Sequence, residues 1–81
     1  MIKKFRTIIV DDEYPARLMM KELIHDHLDL IEVIGEAENG RIAIQLIDSL
    51  KPDLIFLDIQ MPDMEAFSML LQLKHQPMVV F

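Results

Sequence analysis

Apolar residues in this chain fall into short unbroken runs and longer periodic ones, and that contrast sets the expected architecture. Ile8-Ile9-Val10, Leu54-Ile55-Phe56-Leu57 and Met78-Val79-Val80-Phe81 carry no polar interruption. Runs of this length, bounded by polar residues, fit strands covered on both faces, as in a parallel sheet. Between Ile31 and Ala37 the pattern partly alternates, with Glu32 and Glu36 expected on one face. That stretch reads as a half-exposed strand at a sheet edge, where charge discourages further pairing. From Ala16 the apolar positions step by three and four through Met19, Met20, Leu23, Ile24 and Leu28, with Arg17, Lys21, Glu22, His25 and Asp26 among them. The spacing predicts an amphipathic helix with its charged side in water. Pro15 suits the first turn, where its missing N–H costs nothing. A second helix is predicted after Asn39-Gly40, with Ala43, Leu46, Ile47 and Leu50 in phase and Pro52 beyond its end. A third is expected between Glu65 and Lys74.

The element order is then β-α-β-α-β-α-β, the pattern of an α/β fold with a parallel sheet, right-handed crossovers and helices on both faces. With the second strand at an edge, the expected strand order is the flavodoxin-like 2-1-3-4, which places the first and third strands side by side. Both end in acid. Val10 is followed by Asp11-Asp12-Glu13 and Leu57 by Asp58, and Pro62 stops that strand from continuing. Asp11, Asp12 and Asp58 should converge at the carboxyl edge of the sheet, where open α/β sheets bind ligands. Three crowded carboxylates repel one another, so either one keeps its proton or a cation neutralises the group. Oxygen-only donors from two loops suit Mg²⁺, and an aspartate beside that ion can attack phosphorus to form an aspartyl phosphate.

Composition narrows the field. A chain of 81 residues holds one small domain. The absence of cysteine excludes disulfides and thiolate metal sites. A net charge of −6 opposes direct nucleic-acid binding by this segment. The basic start is followed by an apolar run that ends at Asp11, too short for a signal-peptide core, and nothing approaches a membrane span, so a cytoplasmic protein is expected. No glycine-rich phosphate loop followed by lysine supports nucleotide chemistry. The seven methionines read as core packing rather than a binding groove. His25 and His27, two apart on a helix, point to different faces and make a poor metal pair; they and His75 read as solvated.

Ile8-Ile9-Val10-Asp11-Asp12-Glu13, paired with Leu54-Ile55-Phe56-Leu57-Asp58-Ile59-Gln60-Met61-Pro62, resembles the receiver domain of two-component response regulators, and the likeness spans the whole chain. The run from Val10 to Leu18 is especially similar to the subgroup whose output is a LytTR-type DNA-binding domain. The resemblance implies a single incomplete receiver domain over residues 1–81, lacking the last α-β-α. It makes Asp58 the acceptor of a phosphoryl group from a sensor histidine kinase, and Asp11 and Asp12 the acid pocket, with Asp12 the more direct Mg²⁺ ligand. The main-chain carbonyl of Gln60 would be a further ligand. Such a module accepts a phosphoryl group and is not a stand-alone turnover enzyme.

Two departures from the family pattern stand out. Ala66 occupies a position that usually holds glycine after the Met-Pro-x-Met-Asp run. The serine or threonine after the fourth strand and the lysine after the fifth have no counterpart before Phe81. Haloacid-dehalogenase-like phosphotransferases also form an aspartyl phosphate, but they carry a second aspartate two residues on, where this chain has Gln60. The remaining alternative is a vestigial receiver acting as an assembly module. The apolar edge from Met78 to Phe81 invites pairing with another chain, so self-association is expected.

Overall fold

The computed structural model describes residues 4–58, 68 and 72–80. Its strands are β1 (Phe5–Val10), β2 (Ile31–Ala37), β3 (Leu54–Leu57) and β4 (Met78–Val80), with helices α1 (Tyr14–His27) and α2 (Gly40–Leu50). All pairings are parallel and the strand order is 2-1-3-4, as the acid-ended strands and the charged edge strand required. The helix expected between Glu65 and Lys74 falls largely outside the described residues, as do Ala66 and Phe81.

One face of the sheet carries Ile8, Val10, Ile55 and Leu57, all buried, and these pack with Ala43 and Ile47 of α2 and with Leu73. Full burial of one such aliphatic side chain contributes about 1.5–3 kcal/mol, so this layer holds α2 to the sheet. Asn39 caps α2 through its side-chain oxygen, which accepts from the Ile42 amide at 2.9 Å. The helix ends at Lys51 in the left-handed region (φ 51°), and the Arg6 guanidinium donates to the Lys51 carbonyl at 3.0 Å. Asp53 then sets the register where β3 begins. Its carboxylate accepts from the Arg6 amide at 2.9 Å, its own amide donates to the Arg6 carbonyl at 2.8 Å, and its carbonyl accepts from the Met78 amide at 3.0 Å.

The structure departs from the sequence expectation in three ways, the first two on the other face, toward α1. Between Thr7 and Ile8 the β1–β2 register slips: Thr7 lies opposite Val33 but Ile8 lies opposite Gly35, so β2 accommodates an extra residue at Ile34. Directly paired residues share a face and a bulge reverses the alternation. Glu32, opposite Arg6, and Glu36, opposite Ile9, therefore stand on opposite faces and not on a common one. Glu36 meets α1, where it accepts from Arg17 Nε at 2.7 Å and from Lys21 Nζ at 2.5 Å.

The second departure follows from the first. The side of α1 turned to the sheet is the row Ala16, Met20 and Ile24, accompanied by Arg17 and Lys21, and Ile24 alone is buried. Met19 is 63% exposed and Leu23 48%, because the paired cations rotate the helix toward Glu36. Core packing thus holds for neither Met19 nor Met78, which is likewise exposed. Third, His75 is not solvated: it is half-buried, and its Nε2 lies 2.6 Å from the Pro52 carbonyl. His25 and His27 are exposed as expected.

These contacts predict that Ile24→Ala will lower unfolding free energy by about 2–5 kcal/mol. Leu23→Ala, one position away, should cost under about 1 kcal/mol; urea denaturation of both variants measures the difference. Hydrogen bonds from Lys21 and then Arg17 hold the Glu36 carboxyl below its ordinary value of 4.5. A carboxylate with a depressed folded-state pKa stabilises the fold above its unfolded value, and that contribution is lost as pH falls through the folded value. The urea midpoint of the parent should exceed that of Glu36→Gln at pH 7, and the gap should close as pH drops below 4.5.

Candidate functional site

Two hydrogen bonds extend the parallel ladder past the strand ends. The Asp11 amide donates to the Ala37 carbonyl at 3.0 Å, and the Asp58 amide donates to the Val10 carbonyl at 3.0 Å. The first ties the end of β1 to the end of β2; the second ties the residue after β3 to the last residue of β1. Asp11 and Asp58 are thereby placed side by side by backbone geometry, before any side-chain interaction is considered.

The carboxylates follow. One oxygen from each of Asp11, Asp12 and Asp58 lies within 4.8 Å of the others, with Asp11 and Asp58 half-buried and Asp12 exposed. The turn that carries the first two is shaped locally: Asp11 Oδ1 accepts from the Glu13 amide at 2.9 Å, an Asx turn that reverses the chain before α1. Pro15 sits in the first turn of α1, as its sequence position implied. Asp11 and Asp58 border a hollow of about 260 Å³ whose other walls include Ala16 and Met20 of α1, Phe56 and Val80.

The donor set fits a small, hard cation. It is all oxygen, it comes from two loops, and it keeps an open side at Asp12, where water ligands can remain. Oxygens bonded to one Mg²⁺ at about 2.1 Å stand at most about 4.2 Å apart, so a modest side-chain rotation closes the observed spread. Three of the four site residues expected from sequence are therefore brought together. The fourth, Gln60 with its main-chain carbonyl, lies outside the described residues.

One residue bordering the site was not expected there. Arg17 was assigned to the wet side of α1, yet only 12% of its side chain is exposed. Its Nη1 donates to the main-chain carbonyl of Asp11 at 2.8 Å, and Glu36 takes its Nε. The Tyr14 ring lies 5.5 Å from the guanidinium carbon. The available signal was a pair of cations one helical turn apart, Arg17 and Lys21, in a chain with excess acid.

Comparison with known proteins places this geometry. The model of the response regulator receiver domain matches residues 7–81. The transcriptional regulatory protein YdfI of Bacillus subtilis is 41% identical over 71 residues, covering 88% of this chain and 33% of that protein. The chain thus spans about a third of the length of this curated relative. The crystal structure of the response regulator domain of Thermotoga maritima CheB superposes with a TM-score of 0.81 at 34% identity, covering 95% of this chain and 58% of that one. A chain in the crystal structure of the P1 domain of CheA3 in complex with CheY6 from R. sphaeroides gives a TM-score of 0.80 at 31% identity, covering 95% and 61%. With the acid-ended strands, the 2-1-3-4 sheet and the match over nearly its whole length, the chain belongs to the response regulator receiver domain family.

Proposed function

We propose that this chain is the phosphoryl-accepting module of a two-component response regulator, with Asp58 as the acceptor. The observation that carries the reading is the approach of Asp58 to Asp11 and Asp12 at the end of adjacent parallel strands. In the proposed step, a carboxylate oxygen of Asp58 attacks the phosphorus of a phosphohistidine on a sensor histidine kinase. A P–O bond forms, the P–N bond breaks, and its electron pair stays on the imidazole.

Asp11, Asp12 and Asp58 would hold Mg²⁺, with the Gln60 carbonyl as a further ligand. When bound, the ion supplies positive charge that offsets repulsion between phosphoryl oxygens and the carboxylates. The rigid backbone pairing of Asp58 to Val10 fixes the nucleophile, so little ordering is left to the moment of transfer.

The kinase as partner is supported by the CheA3–CheY6 complex, one of whose chains this chain resembles. Residues 1–81 form one receiver unit in this reading, acting in the cytoplasm and accepting a phosphoryl group without being a turnover enzyme. Among the described residues no helix is long and apolar enough to cross a membrane. The output is a DNA-binding domain of LytTR type, a reading supported by the run from Val10 to Leu18 and by the regulatory role named for YdfI. The acidic charge keeps DNA contact with that output rather than with this segment.

A second reading has its own observation. Phe5, Leu28, Leu30, Phe56, Met78 and Val80 border an apolar groove of about 520 Å³, and among the described strands β4 pairs on one side only. A second copy of the chain would cover both, which makes the module an assembly element.

Incubation with acetyl phosphate and Mg²⁺ should add one phosphoryl group by intact mass to the parent and none to Asp58→Asn. No gain in the parent overturns the acceptor role. For the second reading, sedimentation equilibrium should show mass rising with concentration and Val80→Lys should suppress the rise. A parent mass independent of concentration overturns it.

A further inference from the structure

Asp12 is the most exposed of the three aspartates, and its position is set by the two peptide groups that flank it. The preceding carbonyl, that of Asp11, accepts from Arg17 Nη1 at 2.8 Å. The following amide, that of Glu13, is held by Asp11 Oδ1 at 2.9 Å. Asp11 itself is pinned through its amide to β2. The Arg17 side of this arrangement is a planar fork: Nη1 reaches the Asp11 carbonyl while Nε reaches Glu36 on β2 at 2.7 Å. Lys21 grips the second oxygen of Glu36.

We propose that Arg17 is a positioning residue for the Asp11–Asp12 side of the site, with Glu36 as its anchor. This rests on the reading of the three aspartates as a Mg²⁺ and phosphoryl site. Arg17 meets this segment at the main-chain carbonyl of Asp11, and it acts through the backbone that carries two of the trio. A guanidinium is required because its donors diverge in a fixed plane and serve two acceptors at once, which the single ammonium of lysine does not reproduce. Glu36 has two tasks. It fixes the direction of the fork, and its negative charge offsets a cation that would otherwise compete with metal binding. The lowered proton affinity of Glu36 agrees with a carboxylate kept ionised for both.

The sign of the effect separates positioning from simple electrostatics. A cation beside an acidic site opposes a second cation, so removing its charge alone would tighten Mg²⁺ binding. Removing a support of the ligand backbone loosens it, by about tenfold for partners of metal ligands.

The test is calorimetric titration of the full chain with Mg²⁺, for the parent, Arg17→Ala, Arg17→Lys and Glu36→Gln, beside urea unfolding of each without metal. Arg17→Ala should weaken Mg²⁺ binding by about tenfold while unfolding stays cooperative. Arg17→Lys, which keeps the charge and loses the fork, should recover less than half of that loss in free energy. Glu36→Gln should weaken binding by a smaller factor. Unchanged or tighter binding in Arg17→Ala overturns the proposal, as does full rescue by lysine. Should Arg17→Ala fail to fold, Arg17→Lys decides: parental affinity overturns the proposal and weakened affinity supports it. Absence of Mg²⁺ binding by the parent overturns the reading of the site, and the positioning role falls with it. That result differs from the failure of positioning alone, in which the parent binds and the variants match it.

Discussion

The structure depends on one constraint: β1 is paired in parallel on both sides, and its hydrogen bonding continues one residue beyond the strand ends. Parallel pairing sends the ends of β1, β2 and β3 to the same edge. The amides of Asp11 and Asp58 then have fixed acceptors at Ala37 and Val10. Two carboxylates that repel one another are held together by peptide groups that carry no net charge. The cost of crowding them is met by the sheet, whose central residues Ile8, Val10 and Ile55 are fully or almost fully buried. A core substitution in those strands is therefore also a change to the site, since the same strands carry both.

The two faces of the sheet are stabilised differently. Toward α2 the contacts are aliphatic, with Ala43 and Ile47 against the centre of the sheet. Toward α1 a polar linkage shares the task, with Arg17 and Lys21 converging on Glu36. Ion pairs of partly exposed groups contribute little to stability on average. What the linkage supplies on this face is orientation: it selects which row of α1 meets the sheet and where the guanidinium stands relative to Asp11.

Much of this was legible in sequence because it depends on burial and on chain reversal. Leu54-Ile55-Phe56-Leu57 had to be covered on both faces, Pro15 and Asn39 marked helix starts, and strands ending at Val10 and Leu57 left their acids at one edge. The β2 limits of Ile31 and Ala37 coincide with the alternating stretch. The bulge was not legible, because nothing in Ile31-Glu32-Val33-Ile34-Gly35 distinguishes a strand that keeps step from one that slips. With the bulge went the faces of Glu32 and Glu36. The orientation of α1 was misread for the same reason: apolar spacing alone favoured Met19 and Leu23, while Glu36, the charge that meets the helix, had been grouped with Glu32 on one face of β2. The hydroxyl of Thr7, fully buried in the sheet, accounts for itself by donating to the Phe5 carbonyl at 3.0 Å.

The extra residue in β2 makes pairing register carry information that residue identity does not. Upstream of Ile34 the edge strand keeps one phase with β1, and downstream it keeps the other. Were the two strands to pair in step without the slip, Glu36 would fall opposite Val10, on the face occupied by α2, while every amino acid stayed the same. A related chain lacking just the residue at Ile34 would thus keep Glu36 opposite Ile9 and its first helix attached by the same ion pairs, even though its edge strand is one residue shorter.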